Sequence, residues 1–244
     1  MQAQKFTHLF FDADYTLLDY HSDEIAAFET LYKELNIPLS EEILTFSRKS
    51  SEETWTRWGM YDVHKPSVQQ NYHRVYREHL YEVFFEIFQK FPCPDPQTTP
   101  QSASERFLTL LQREGSVLPN AKGVLATFSK KSGGKYKIYI ATNGLSAIQK
   151  GRLHPLQAYV HGVFISEELG AIKPLPAFFE RMIKYVGASF ENCLMIGDSL
   201  SSDVAGANSV GIKSCWLNVK GEENKTAFTP DFEITSLKEL VDFL

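Results

Sequence analysis

Hydrophobic positions change period twice along the chain. His8-Leu9-Phe10-Phe11 is a short apolar run that predicts a buried strand ending at Asp12. From about residue 20 to residue 115 no strand pattern occurs, and the apolar positions follow a helical period. Ile25, Phe28, Leu31 or Tyr32, and Leu35 mark one face of a first helix. Ser22-Asp23-Glu24 is read as its cap and Asn36-Ile37-Pro38 as its end. Ser40 caps a second helix, with Glu41 and Glu42 in its first turn. A third helix spans about 67–90 and carries Val68, Tyr72, Val75, Leu80, Val83, Phe84, Ile87 and Phe88. The stretch Phe91-Pro92-Cys93-Pro94-Asp95-Pro96, with the polar residues up to Ser104, reads as a loop and a domain boundary, a hinge or return path.

After Ser104 helix and strand alternate. Strands are expected at 137–141, 162–166, 193–196 and 212–217. Helices are expected through Phe107-Leu111, after Pro119, through Ile148-Leu153, from Pro176 to Val186 with Gly187 as stop, and just before Gly211. Ser236-Leu237-Lys238-Glu239 reads as a capping box opening a final helix. Repeated βα units with apolar strands imply an α/β fold, a parallel sheet covered on both faces. The helical block interrupts it after the first strand. The division is therefore a core of residues 1–18 and 105–244 and a helical insert of residues 19–104.

Composition narrows the partners. A net charge of −5 argues against a nucleic-acid polymer. No apolar run is long enough to span a bilayer, and Met1-Gln2-Ala3-Gln4-Lys5 passes straight into the strand without a secretory leader. Cys93, Cys193 and Cys215 form no CxxC and suit a reducing, cytoplasmic compartment, the latter two as small core residues. His64, His73 and His79 lack metal-ligand spacing.

Candidate chemistry gathers where strands end, the edge at which open α/β sheets bind ligands. Asp12 and Asp14, two apart in an extended segment, point the same way. Two such anions require that one be protonated or that a cation sit nearby, and an oxygen-only pair suits Mg²⁺. Thr142-Asn143-Gly144 ends the second strand and combines a hydroxyl with turn N–H groups, an anion-binding corner. Lys173, fixed by Pro174 before a helix, is a point charge for phosphate. Gly197-Asp198 ends the fourth strand, and Asp203 opens the next helix. Lys130-Lys131-Ser132-Gly133-Gly134-Lys135 fails as a P-loop, because Ser129 stands at the first glycine and Tyr136 at the metal-binding hydroxyl.

In chain order these residues resemble the four signatures of the haloacid dehalogenase superfamily: Asp12-Ala13-Asp14-Tyr15-Thr16, Thr142, Lys173, and Gly197-Asp198 through Asp203. A closer resemblance is to its housecleaning pyrimidine 5′-nucleotidases. It rests on Phe11 to Asp14, Asn143 to Gln149, Arg152-Leu153, Ile165 to Gly170 with Lys173-Pro174, and Ser214 to Asn218. The resemblance implies a Rossmann-like core with a C1-type helical cap. It implies an Mg²⁺-dependent phosphomonoesterase in which Asp12 is the nucleophile and Asp14 the general acid and base. Thr142, Asn143 and Lys173 would hold phosphate. The metal would rest on Asp12, the Asp14 main-chain carbonyl and Asp198, with Thr16 and Asp203 in secondary places. The implied substrate is a small phosphorylated metabolite, a nucleoside monophosphate. Sugar phosphates stay open, as does a phosphomutase with the same residues. A non-catalytic binding module predicts missing carboxylates, and none is missing. Asp14 and Asp198 speak against a dehalogenase. In the cap, Trp55, Trp58, Tyr61 and Tyr72 are candidates to stack on a base, or to pack within the cap itself.

Overall fold

The computed structural model describes residues 6–244; the leaderless start expected at residues 1–5 lies outside them. Six strands form one all-parallel sheet: β1 (His8–Phe11), β2 (Lys137–Thr142), β3 (Gly162–Ile165), β4 (Cys193–Gly197), β5 (Lys213–Leu217) and β6 (Phe232–Ile234). Their order is β3-β2-β1-β4-β5-β6, the doubly wound arrangement of a Rossmann-like core. Strand order reverses between β1 and β4, so the residues following these two strands flank the switch-point crevice. β1 is held in register on both sides, Phe11 opposite Ile140 and Ile196.

Alternation along the strands sends side chains to two buried layers. Leu9, Phe11, Ile138, Ile140, Leu194 and Ile196 pack with Val124, Leu125 and Phe128 of α5 (Ala121–Phe128). Phe10, Tyr139, Phe164 and Met195 face Phe178, Phe179, Met182 and Ile183 of α7 (Pro176–Val186), which Gly187 stops in the left-handed region. Cys193 and Cys215 are buried in these layers as free thiols.

The helical layer between β1 and β2 contains α1 (Tyr20–Glu34), α2 (Glu41–Arg57), α3 (Pro66–Lys90) and α4 (Pro100–Leu110). Ser40 caps α2 as expected. The cap of α1 is Asp19, not Ser22: its carboxylate accepts the Ser22 N–H at 3.1 Å. The expected loop is shorter, because Thr99 and Ser102 form a capping box around Pro100 and start α4 there. The boundary expected at 104/105 thus falls inside α4. Phe107, Leu110 and Leu111 of this segment pack with Phe28, Leu31 and Phe84 in the helical layer.

At the carboxyl end, β6 is a strand the periodicity did not predict. The final helix is a 3-10 turn, Leu237–Asp242. Glu239 reaches back to the Thr235 N–H and hydroxyl rather than to Ser236, so the capping box does not close. Among the described residues no helix is long and apolar enough to cross a membrane.

Candidate active site

Asp12 follows β1 and its N–H continues the ladder onto the Ile196 carbonyl at 2.8 Å, which aims its carboxylate into the switch-point crevice. Lys173 Nζ meets it there at 2.5 Å. The same ammonium donates to Asp203 Oδ1 at 2.6 Å and to the Ala141 carbonyl at 2.8 Å, so all three protons of a buried lysine are used. The Lys173 backbone is clamped as well. Its N–H donates to Asn143 Oδ1 at 2.8 Å, and Asn143 Nδ2 donates to its carbonyl at 3.0 Å. The Asn143 side chain therefore fixes the lysine loop, while the residue still lines the cleft above. Lys173-Pro174 is a cis peptide.

Asp198 follows β4, and its carbonyl accepts from Trp216 Nε1 at 2.9 Å. Asp203 accepts the Ser199 N–H at 3.1 Å and lies so close to the backbone that a Cβ at Gly197 would sit 2.1 Å from its Oδ2. Carboxylate oxygens of Asp12, Asp198 and Asp203 lie within 4.8 Å of one another. Burial pushes the Asp12 carboxyl up to about 7, with Lys173 opposing the shift and the Asp203 and Asp14 charges adding to it. Burial, then the Asp12 and Asp203 charges, push Asp198 well above the usual carboxylate range. Burial disfavours the Lys173 ammonium, but Asp12 and Asp203 outweigh it and raise its pKa. Three carboxylates around one ammonium leave excess negative charge in a buried site, and their all-oxygen donor set fits a hard divalent cation.

Asp14 is held differently. Arg152 Nη1 donates to its Oδ1, and Gln149 Nε2 donates to its Oδ2 at 2.9 Å. Gln149 Nε2 also lies 2.8 Å from Thr142 Oγ1, so one amide links Asp14 to Thr142. Both residues sit on α6 (Ser146–Arg152), and both are buried. The sequence marked them only as points of resemblance and gave them no role. The usable signal was the i,i+3 spacing of a glutamine and an arginine on a short helix directly after Thr142-Asn143-Gly144. Thr16 is buried in the tight turn after Asp14, its Oγ1 without a hydrogen-bond partner among the described residues; Tyr15 makes that turn at φ 63°.

Over these groups lies a cleft of about 840 Å³ between sheet edge and helical layer, lined by Asp14, Asn143 and Asp198 below. Trp55 and Tyr61 of the candidate aromatics line it, as does Tyr72. Trp58 does not; it packs beside Met60, Val68 and Ile172. His73 hydrogen-bonds Ser166 at 2.7 Å, and His64 stacks on Phe228. Neither joins the carboxylate cluster.

Residues 6–211 match the family described as haloacid dehalogenase-like hydrolase. Across 97% of its length the chain is 31% identical to the pyrimidine 5′-nucleotidase PynA of Streptococcus pneumoniae, covering 94% of that protein. It is 26% identical to the pyrimidine 5′-nucleotidase YjjG of Escherichia coli, over 98% of each chain. Its fold is similar to that of the HAD-hydrolase YfnB of Bacillus subtilis, a crystal structure with bound magnesium, at a TM-score of 0.79, 24% identity and 98% coverage of each chain.

Proposed function

Within the haloacid dehalogenase-like hydrolases, to which this chain belongs, we propose that it hydrolyses nucleoside 5′-monophosphates, pyrimidines first. The observation that carries the reading is the buried set Asp12–Lys173–Asp203 with Asp14 and Asp198 at one sheet edge, beneath a cleft walled by aromatic side chains. Whole-length similarity to two pyrimidine 5′-nucleotidases supports the substrate class.

The Asp12 carboxylate attacks phosphorus, and the bond from phosphorus to the nucleoside O5′ breaks as the bond to Asp12 forms. Asp14 delivers its proton to O5′, then takes one from the water that attacks the aspartyl phosphate. Inorganic phosphate leaves and free Asp12 returns. Lys173 neutralises a phosphoryl oxygen from a position fixed by Asp203 and Asn143, while Thr142 and the turn N–H groups orient the others. Asp12, Asp198 and the Asp14 main-chain carbonyl would hold Mg²⁺. When bound, the ion supplies Lewis-acid neutralisation of the transferring group. Gln149 and Arg152 keep the Asp14 carboxyl aimed into the cleft.

The test is phosphate release with Mg²⁺ from UMP, dUMP, dTMP, CMP, AMP, GMP, sugar phosphates and an aryl phosphate. Uracil or thymine monophosphates should lead the purines by at least about ten-fold in kcat/KM, or 1.4 kcal/mol. A flat profile or a lead for sugar phosphates removes the nucleotide assignment.

A further inference from the structure

The cap side of the cleft carries a polar pair that the chemistry at phosphorus does not use. Arg48, Ser51, Glu52 and Trp55 recur on α2 at spacings of three and four, so they share one face, and all four line the cleft. Arg48 makes no hydrogen bond or ion pair among the described residues, and its Nε is buried without a partner. Glu24 of α1 lines the same cleft with 8% of its surface exposed. Ser51 donates to its Oε1 at 2.8 Å, and no donor reaches Oε2 among the described residues. Burial raises the Glu24 pKa, with the Ser51 hydrogen bond and the Arg48 charge opposing. Beside the pair stands an aromatic wall: Trp55 meets Tyr72, Tyr76 and His79 edge-on, with ring centroids 6.0, 5.5 and 4.9 Å apart.

A buried guanidinium N–H without an acceptor is costly unless a ligand completes it, and Glu24 Oε2 has acceptor capacity to spare on the same cleft. That ligand must be planar enough for the aromatic wall, and must present a carbonyl acceptor beside an N–H donor. The imide edge of uracil or thymine has that pattern, O2 next to N3–H. Cytosine carries an acceptor at N3, which a carboxylate repels.

Resting on the nucleotidase reading, we infer that Arg48 and Glu24 are the specificity residues for the base: Arg48 donates to O2, and Glu24 accepts from N3–H. The preference is for uracil and thymine over cytosine. A site built to hydrogen-bond a group rejects the analogue that lacks it, because its own buried partners are then left unpaired.

The experiment measures kcat/KM for UMP, CMP and an aryl phosphate without a base in wild type, Arg48→Ala, Arg48→Lys and Glu24→Gln. The ratio of UMP to aryl phosphate should fall at least ten-fold in Arg48→Ala, mainly through KM, and recover in part in Arg48→Lys. Glu24→Gln, whose amide can donate to cytosine N3, should narrow the UMP-to-CMP ratio. Uridine, as competitive inhibitor of aryl phosphate turnover, should show a raised Ki in Arg48→Ala. Proportional loss on all substrates would mean that the pair only shapes the cap, and overturns the inference while leaving the nucleotidase reading intact. A wild type that releases phosphate from the aryl ester and from no nucleoside monophosphate overturns that reading, and the inference with it.

Discussion

Arg152 Nε donates to Asp23 Oδ2 at 2.9 Å, and this contact joins the core to the first helix of the cap. Asp23 completes it on the other side, accepting the Ser116 N–H at 2.7 Å through Oδ1. The Arg152 carbonyl accepts the Gly115 N–H at 3.0 Å, and Asp19 N–H bonds Ser116 O at 2.8 Å. Both chain crossings between core and cap are thus fastened to one buried arginine, whose Nη1 also holds Asp14. On the opposite side of the cleft the cap rests on the core through His73–Ser166, Arg77–Glu167 and the cluster around Ile172. Asp14 and the two crossings therefore share a residue, so a movement of the crossings is felt at Asp14.

Arg152→Met should cost about 3–5 kcal/mol, because removing one partner of a buried ion pair strands the Asp14 and Asp23 charges. Urea unfolding would read this as a lowered midpoint. Turnover of the folded fraction should fall more than its stability-corrected concentration, since Asp14 loses its orientation. Unchanged kcat in the folded fraction would reduce Arg152 to a fastener of the crossings.

Asp12 was legible because a strand-end carboxylate has a local signature, an apolar run that stops at an acid. Lys173 was legible because the following proline sets it before a helix. Arg152 was not. In Ser-Ala-Ile-Gln-Lys-Gly-Arg it reads as a solvated helix end, and its burial comes from partners 138 and 129 residues away in sequence. Arg48 and Glu24 were hidden for a related reason: the two lie on different helices, and only packing faces them into one cleft. β6 is three residues long, too short for an alternation to register, and α4 was masked by the proline-rich stretch whose last proline opens it. Periodicity reports which face is buried; it does not report a charge buried by another charge.

Asp12→Asn should abolish turnover while leaving the fold intact, since the amide keeps the size and loses the nucleophile. Circular dichroism and phosphate release check the two halves. Turnover within ten-fold of wild type would exclude an aspartyl phosphate on Asp12.

Mg²⁺ should stabilise the protein through Asp12 and Asp198, two of the three clustered carboxylates. At a concentration one hundred times its Kd the gain is about 2.7 kcal/mol, seen as a rise in Tm of roughly 5–10 °C for a domain of this size. EDTA should reverse it, and Asp198→Asn should remove most of it. A rise that survives Asp198→Asn would place the ion elsewhere.

His79 contributes to the acid sensitivity of the cap. It is buried on α3, hydrogen-bonded to the Val75 carbonyl at 3.1 Å, and burial depresses its pKa to about 4. A histidine depressed in this way binds fewer protons folded than unfolded. The stability it contributes is complete above the ordinary 6.5 and is lost as pH falls toward about 4. The loss is on the order of 3 kcal/mol. His79→Gln should flatten the decline of the urea midpoint between pH 6.5 and 4; an identical decline would show that other groups set the acid limit.

Gly197 tests the coupling between backbone and charge cluster. A Cβ there would lie 2.1 Å from Asp203 Oδ2 and 2.8 Å from Asp203 Cβ, so the neighbour that must yield is the carboxylate holding Lys173. Gly197→Ala should cost about 1–3 kcal/mol, as overpacking does, and lower kcat by loosening Lys173. The three nearest atoms all belong to Asp203, which makes the clash separable. In an Asp203→Gly background neither the carboxylate nor its Cβ remains, so the second substitution should cost much less than it does alone. Urea unfolding of wild type, both single variants and the double variant gives the coupling directly. For residues in contact it should be of order 0.5–3 kcal/mol. Additive costs would mean that Gly197 is required for its own backbone conformation, and that Asp203 is not what excludes a side chain there.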